Sequence, residues 1–287
     1  MLAGFYIKCV EGEKNKEFLS SYGLERDGVS KRRAKVKIDI HAHTKATKSG
    51  DSPKRNINAE KFAEIIEQTN VAILAITNHN HFDIEQYREF TIATEGKCQI
   101  WPGVEIDVHS DDGCGHLLVI VNPKKADLLS DTMQRLLTGT TEDKLILTID
   151  EVAQSFEQLD AIYVAHYHSK TPDLSDDALR RLGKLVDERR VIKEATNSIS
   201  AGIYISHGHN TIYGSDVVDW DNYVEKAELL PELRLNVESF EQFCLLLEKD
   251  EPTIKTLLHK KDPETLTIKP FETDEKITLD IYDDINI

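Results

Sequence analysis

The chain has 287 residues, 40% of them hydrophobic and 30% charged, with 51 acidic against 35 basic residues for a formal charge of −16. That length carries one large barrel or two ordinary domains, and the composition excludes a fibrous or low-complexity chain. The acidity argues against passive nucleic-acid binding through a basic surface, and no apolar run approaches the roughly 18–20 residues of a membrane span.

Met1 to Val10 is weakly apolar but is interrupted by Lys8 and followed by Glu11 and Glu13, so it reads as a strand, not a secretory signal. Residues 1–35 are expected to form an N-terminal extension. Cys9, Cys98, Cys114 and Cys244 show no CxxC pair, which fits reduced thiols in a cytoplasmic protein. Positive charge is concentrated at Lys31-Arg32-Arg33-Ala34-Lys35 and around Lys45, Lys48, Lys54 and Arg55. A solvated face is the plain reading of these clusters, and phosphate steering is the functional one.

From residue 36, short apolar runs alternate with amphipathic stretches. Val36–Ile40 is a strand; Asn58 caps a helix to about Thr69 with Phe62, Ile65 and Ile66 on one face. Strand Val71–Thr77, helix Ile84–Thr94, strand Gln99–Val108 and strand Leu117–Val121 follow. Helices are expected at Leu128–Leu137 and Ile149–Leu159, then strand Ala161–Ala165, a Ser175-capped helix to about Glu188, strand Val191–Ala195 and a last short strand at Thr211–Tyr213. Such alternation implies a mostly parallel sheet, and this many repeats imply closure into a barrel. Residues 226–287 form a different tail, with helices at Ser239–Lys249 and Thr253–His259 and a strand pair at Thr265–Lys269 and Lys276–Tyr282.

The histidines fall at strand ends. His41 and His43 follow the first strand of the repeat, and in extended chain an HxH points two imidazoles at one place. His79 follows the second strand, Glu105 lies near the end of the third, His116 begins the next, His166 and Glu194 end two more, and Asp216 follows Gly214-Ser215. In barrels, residues at strand C-termini converge on one mouth. A lone histidine is ordinarily a satisfied hydrogen-bonding residue. Repetition after successive strands points instead to a metal centre, and histidine with carboxylate suits Zn, Mn or Fe better than Mg or Ca.

Taken in order, Asp39-Ile40-His41-Ala42-His43-Thr44, Thr77-Asn78-His79-Asn80, Gly103-Val104-Glu105 with His116-Leu117, Ala165-His166, Glu194-Ala195-Thr196-Asn197 and Gly214-Ser215-Asp216 resemble the PHP (polymerase and histidinol phosphatase) domain family over about residues 36–220. The resemblance implies an α/β fold, a distorted (β/α)7 TIM-like barrel over residues 36–225, holding up to three metals. It implies His41, His43, Glu105 and Asp216 around one ion, Glu105 bridging to a second ion completed by His116 and His166, and His79 at a third position. Two departures stand out. Val218 occupies the place of a family histidine, and Asn78 that of an aspartate. Valine cannot ligate, so two divalent ions (Mn, Zn or Fe) are expected, with the third position weak or empty. Asp219 and Asp221 are compensating ligands or plain solvated carboxylates.

The expected activity is that of a metal-dependent phosphoesterase, a phosphatase or nuclease acting on a phosphomonoester or phosphodiester through a metal-bridged hydroxide. His168 is the first candidate to protonate the leaving group, with His209, His207 and His81 behind it. Lys45, Arg55 and Lys170 are candidates for contacting the substrate phosphate, and Asp39 for fixing the tautomer of His41. The tail resembles that of PHP domains fused to an ABC- or SMC-like ATPase, in which such a strand leads into a phosphate-binding loop. No GxxxxGK[ST] occurs in this chain, so an ATPase domain or subunit is an expected partner and nucleotide or DNA the favoured substrate. The alternatives are a catalytically weak, metal-bound regulatory or scaffold module, and an amidohydrolase-type enzyme, for which the strand-end lysine is missing.

Overall fold

The computed structural model describes residues 24–25, 36–111, 113–166, 174–195, 198–233, 237–250, 264–268 and 277–281. Strands in chain order are β1 (Leu24–Glu25), β2 (Val36–Ala42), β3 (Val71–Ile76), β4 (Gln99–Ser110), β5 (Gly113–Ile120), β6 (Leu147–Thr148), β7 (Ile162–His166), β8 (Val191–Glu194), β9 (Asn210–Ile212), β10 (Glu232–Leu233), β11 (Glu264–Ile268) and β12 (Ile277–Ile281). Helices are α1 (Ala59–Glu67), α2 (Ile84–Ala93), α3 (Ala126–Leu136), α4 (Ile149–Ser155), α5 (Asp176–Leu185), α6 (Ser198–Ser206), α7 (Tyr223–Glu228) and α8 (Phe240–Leu247). None of these helices is long and apolar enough to cross a membrane.

Two units are present, residues 35–258 and residues 1–34 with 259–287. In the smaller unit, β1, β11 and β12 form an antiparallel sheet in that order, with Leu266 opposite Leu279. The strand expected at Met1–Val10 and the helix expected at Thr253–His259 lie outside the described residues.

The larger unit is built on one curled sheet with the order β10-β2-β3-β4-β5-β7-β8-β9, with β6 beside the end of β4. Strands β2, β3 and β4 are parallel, as are β7, β8 and β9. Strand β5 opposes both of its neighbours. The sheet is mostly parallel, as the sequence suggested, but only two residues separate β4 from β5, so a hairpin interrupts the β/α alternation. The curl brings the far edge back to β2: the Asp216 N–H donates to His41 O at 2.9 Å, and Ala42 pairs with Val217.

The inner face of the curl follows from period-two alternation. Ile38 and Ile40 of β2, Ile73 and Ala75 of β3, Trp101 of β4, Leu118 and Ile120 of β5, Ile162 and Val164 of β7 and Ile192 of β8 form one buried cluster. Val237, Phe240, Phe243 and Cys244, at and before α8, pack into it, with the Phe240 ring 5.1 Å and the Phe243 ring 5.4 Å from Trp101. Burying each large side chain here stabilises the fold by about 1.5–3 kcal/mol.

A second core lies on the outer face, under the helices. There Phe62 of α1 stacks on Phe90 of α2 at 4.5 Å and meets Trp220 at 5.2 Å. As the sequence suggested, Asn58 caps α1, accepting from Lys61 N at 2.9 Å. Helices α6 and α7 carried no sequence signal. Helix α6 exposes Ile199, Ile203 and Ile205 and so lacks an amphipathic stripe, and α7 has only six residues.

Candidate metal centre

Each inner-face row changes chemistry where it reaches the mouth of the curl. Alternation carries Trp101 through Gly103 to Glu105 on β4, Leu118 to His116 on β5, Val164 to His166 on β7 and Ile192 to Glu194 on β8. The row Ile73–Ala75 continues past β3 to His79, which bridges to Glu105. His116 lies in the first half of its strand, and the reversal of β5 brings it to the same mouth, opposite Asp107 and His166. Strand β2 uses another device. Alternation from Ile38 and Ile40 would turn Ala42 inward, but the pairing register shifts between Asp39 and Ala42, an irregularity of the kind that re-aims side chains beside functional sites.

Five imidazoles result, arranged as a ring, and four of them meet the carboxylate of Glu105. Ring centroids are 5.0 Å apart for His41–His43, 4.6 Å for His43–His79, 5.8 Å for His79–His116, 6.0 Å for His116–His166 and 4.4 Å for His166–His41. Glu105 Oε2 lies 3.3 Å from His41 Nε2, 3.2 Å from His43 Nε2 and 2.9 Å from His79 Nε2, and Oε1 lies 2.7 Å from His116 Nδ1. Asp216 Oδ1 adds a fifth face, 3.3 Å from His43 Nε2 and 3.9 Å from His41 Nε2. His41 and His43 are sealed at 0% exposure and Glu105 at 1%, whereas Asp216 at 34% and His116 at 22% mark the open side.

The donor set fits divalent cations. The Nε2 atoms of His41 and His43 face each other at 3.1 Å, an approach that requires a proton or a cation between or beside them. Although burial opposes it, Glu194 and Glu105 raise the His41 pKa well above its ordinary value, while burial pushes His43 down. Against the same burial, His41 and its neighbours hold Glu105 well below the usual carboxylate range, and His43 and His41 do the same for Asp216. Glu105 Oε1 is buried and lies 2.7 Å from His116 Nδ1. At 2.7 Å the pair can share a proton in the metal-free protein, and loss of that proton frees donor atoms for a cation. Among the described residues, three donor groups are spaced to hold an ion: His41–His43–Glu105, His79–Glu105–His116 and His41–His166–Glu194.

Glu194 has a second role that the motif alone did not suggest. Both of its oxygens lie 3.2 Å from His41 Nδ1, and Oε2 contacts His166 Nδ1. One carboxylate thus fixes the tautomers of two rings and leaves their Nε2 lone pairs for the site. Asp39, expected to fix the His41 ring, instead organises backbone. It accepts from His41 N at 3.1 Å, Ser215 N at 2.9 Å and the Tyr223 hydroxyl at 2.9 Å. The reason is geometric: His41 lies within the irregular stretch between Asp39 and Ala42, so its ring does not follow the alternation from Asp39.

Asp216 is presented by a tight turn. A Cβ on Gly214 would stand 2.5 Å from His41 Cβ and 2.8 Å from His41 N, so only glycine fits. Asp216 itself is left-handed, with φ 39°, a conformation that costs energy in a non-glycine residue and clusters at functional sites. Lys226 Nζ steadies it by donating to Ser215 O at 2.9 Å and Asp216 O at 3.2 Å.

The other sequence candidates are placed as follows. His79 Nδ1 meets Asp51 Oδ1 at 2.7 Å and Arg55 NH1 at 2.8 Å. His116 Nε2 lies 3.3 Å from Asp107 Oδ1, and Lys48 pairs with the other oxygen of Asp107. Lys45 is half-exposed and pairs with Asp83 at 2.9 Å. Asn78 braces the turn after His43, accepting from Thr44 N at 2.8 Å and Lys45 N at 3.1 Å. His209 lies 3.6 Å from Asp176 at the start of α5, His81 pairs with Glu142, and His207 is exposed. Asp219 and Asp221 pair with Lys54 and Lys61. His168 and Lys170 lie outside the described residues. Asp51 and Asp107 were not singled out in the sequence: Asp51 sits in a loop, where a single charged residue carries no periodic signal, and Asp107 follows Glu105 on the same inward row of β4, while Lys48 was read only as one of a basic cluster.

No family model and no curated protein matches the chain. Three solved structures are similar to it in fold. A candidate metal-dependent phosphoesterase from Bifidobacterium adolescentis is 14% identical, with a TM-score of 0.47 over 79% of this chain and 96% of its own. An amidohydrolase from Chromobacterium violaceum, with bound sulfate and no metal, is 13% identical, with a TM-score of 0.42 over 64% of this chain and 88% of its own. A two-domain protein from Bacteroides vulgatus, containing a predicted PHP-like metal-dependent phosphoesterase, is 10% identical, with a TM-score of 0.48 over 82% of this chain and 72% of its own. At these values the likenesses are distant, and the chemistry of the centre rests on its own side chains.

Proposed function

We propose that this chain is a metal-dependent phosphoesterase of the PHP type, on a distorted (β/α)7 barrel, with two divalent ions held around Glu105. The observation that carries the reading is the ring of five histidines, four of which meet the one buried carboxylate of Glu105, with Asp216 at its open side. His41, His43, Glu105 and Asp216 would hold one ion, and Glu105, His116 and His79 or His166 the other. Bound divalent ions supply a Lewis acid for a phosphoryl oxygen and lower the pKa of a water to near neutral.

The chain's own residues do the rest. Glu105 and Asp216 stay ionised at neutral pH and carry the charge that fixes the cations. Glu194 keeps the Nε2 lone pairs of His41 and His166 turned inward. Buried Ile40 and the sealed faces of His41 and His43 exclude water from below, so a phosphoester enters from the side of Asp216 and His116. His168, two residues beyond His166, is the proposed proton donor to the leaving oxygen. The preference for a nucleotide or nucleic-acid phosphoester, and the partnership with an ATPase, rest on the family resemblance.

The test is hydrolysis of bis-p-nitrophenyl phosphate and p-nitrophenyl phosphate with added Mn2+. The reading expects turnover that is abolished in His41→Ala and Asp216→Ala. Stable, metal-loaded protein without turnover of either ester would favour a non-catalytic metal-binding module, the role that Val218 at the place of a ligand makes the second reading.

A further inference from the structure

The corner at Asp51 and His79 is built unlike the rest of the centre. Among the described residues, none of the three donor groups spaced to hold an ion includes Asp51. What stands there instead is a guanidinium. Arg55 NH1 lies 2.9 Å from Asp51 Oδ1 and 2.8 Å from His79 Nδ1, and NH2 lies 4.0 Å from Asp216 Oδ1. Arg55 is 8% exposed and its Nε makes no hydrogen bond, so the residue is committed to the site and not to solvent.

Local sequence explains how it gets there. Ser52 caps a 3-10 turn over Pro53–Arg55, which returns Arg55 over Asp51 four residues earlier. Asp51 is itself anchored, its second oxygen accepting from Thr47 N and Lys48 N at 2.9 Å each. The carboxylate therefore cannot swing away to make room for another cation. Val218, at the place where the resemblance expects a histidine, is a half-exposed apolar side chain without a donor atom.

We propose that Arg55 is a resident cation that takes the place of a divalent ion at the Asp51–His79 corner. This rests on the proposed metal centre and adds to it. A guanidinium keeps its charge at every physiological pH, and a divalent ion cannot share Asp51 Oδ1 and His79 Nδ1, which that charge already holds, whereas His79 Nε2 stays turned to Glu105. The centre is then complete with the ions around Glu105 alone. The corner's positive charge, which an anionic phosphoester meets on entry, is independent of metal supply.

The test is a Mn2+ titration of the metal-stripped full chain, with bound ions counted at saturation by electron paramagnetic resonance of the free ion. Arg55→Gln is expected to bind one equivalent more than wild type, and Arg55→Lys the same number as wild type. Asp51→Asn is expected to match the wild-type count, because no ion uses that carboxylate; it also serves if Arg55→Gln does not fold. Equal counts for wild type and folded Arg55→Gln, or one equivalent lost in Asp51→Asn, would overturn the proposal while leaving the two-ion centre intact. No bound Mn2+ in wild type would overturn both.

Discussion

His41 Nδ1 lies 3.2 Å from each carboxylate oxygen of Glu194, at the opposite end of the ring from the Nε2 that faces Glu105. A single buried carboxylate thereby decides which nitrogen of His41 is available, and its contact with His166 Nδ1 extends the decision to a second ring. Glu194→Gln keeps the shape but removes the charge. Metal affinity is expected to fall by about 10–100-fold with little change in the far-UV spectrum, as read by competition against a fluorescent chelator.

Proton linkage gives a second prediction. In the metal-free protein, burial opposes the charge on His41, but Glu194 and Glu105 outweigh it and raise its pKa. That contribution to stability is complete below the unfolded value of about 6.5 and is lost as pH rises through the folded value. Glu105, Glu194 and Asp216 run the other way. Their folded values are depressed, so their contribution is present above the unfolded values of about 4 and is lost as pH falls through the folded ones. An ion binding His41 Nε2 must displace the proton, so affinity is expected to rise with pH. Calorimetry of Mn2+ binding in buffers of different ionisation enthalpy should read about one proton released at neutral pH.

Gly214→Ala tests the turn that presents Asp216. The new methyl would meet the backbone and Cβ of His41, neither of which can move aside without shifting the site. Overpacking of this kind costs about 1–3 kcal/mol. A lower urea midpoint together with weakened metal binding is expected, whereas a midpoint equal to that of wild type would contradict the close approach.

Trp101→Ala tests the floor of the curl. Its ring is fully buried and packs against Phe240 and Phe243 of α8. The substitution is expected to cost about 3–5 kcal/mol, measured by chemical denaturation. A smaller loss would mean that α8 does not seal the inner core.

Much of this architecture was legible from the chain alone. The rows Ile162–Val164–His166 and Ile192–Glu194 show their alternation and their polar ends in the sequence, because strand periodicity is local. The β4–β5 hairpin was not legible in the same way. Glu105 looked like a residue near the end of one strand and His116 like the start of the next, and nothing local reveals that β5 runs backwards. The register shift after Asp39 was equally hidden, which is why Asp39 was assigned a ring that Glu194 holds. Partners separated by 153 positions, as His41 and Glu194 are, meet only through sheet order. Arg55 was visible as a basic residue, but its inward turn depends on Ser52, Pro53 and the anchored carboxylate of Asp51 together.

The central claim is that Glu105 is the carboxylate on which the ions converge. Elemental analysis of the purified protein beside Glu105→Gln, after reconstitution with Mn2+ and desalting, tests it most directly. About two equivalents in wild type and nearly none in a folded Glu105→Gln is the result this account predicts. Equal metal content in the two proteins, or none in either, would contradict it.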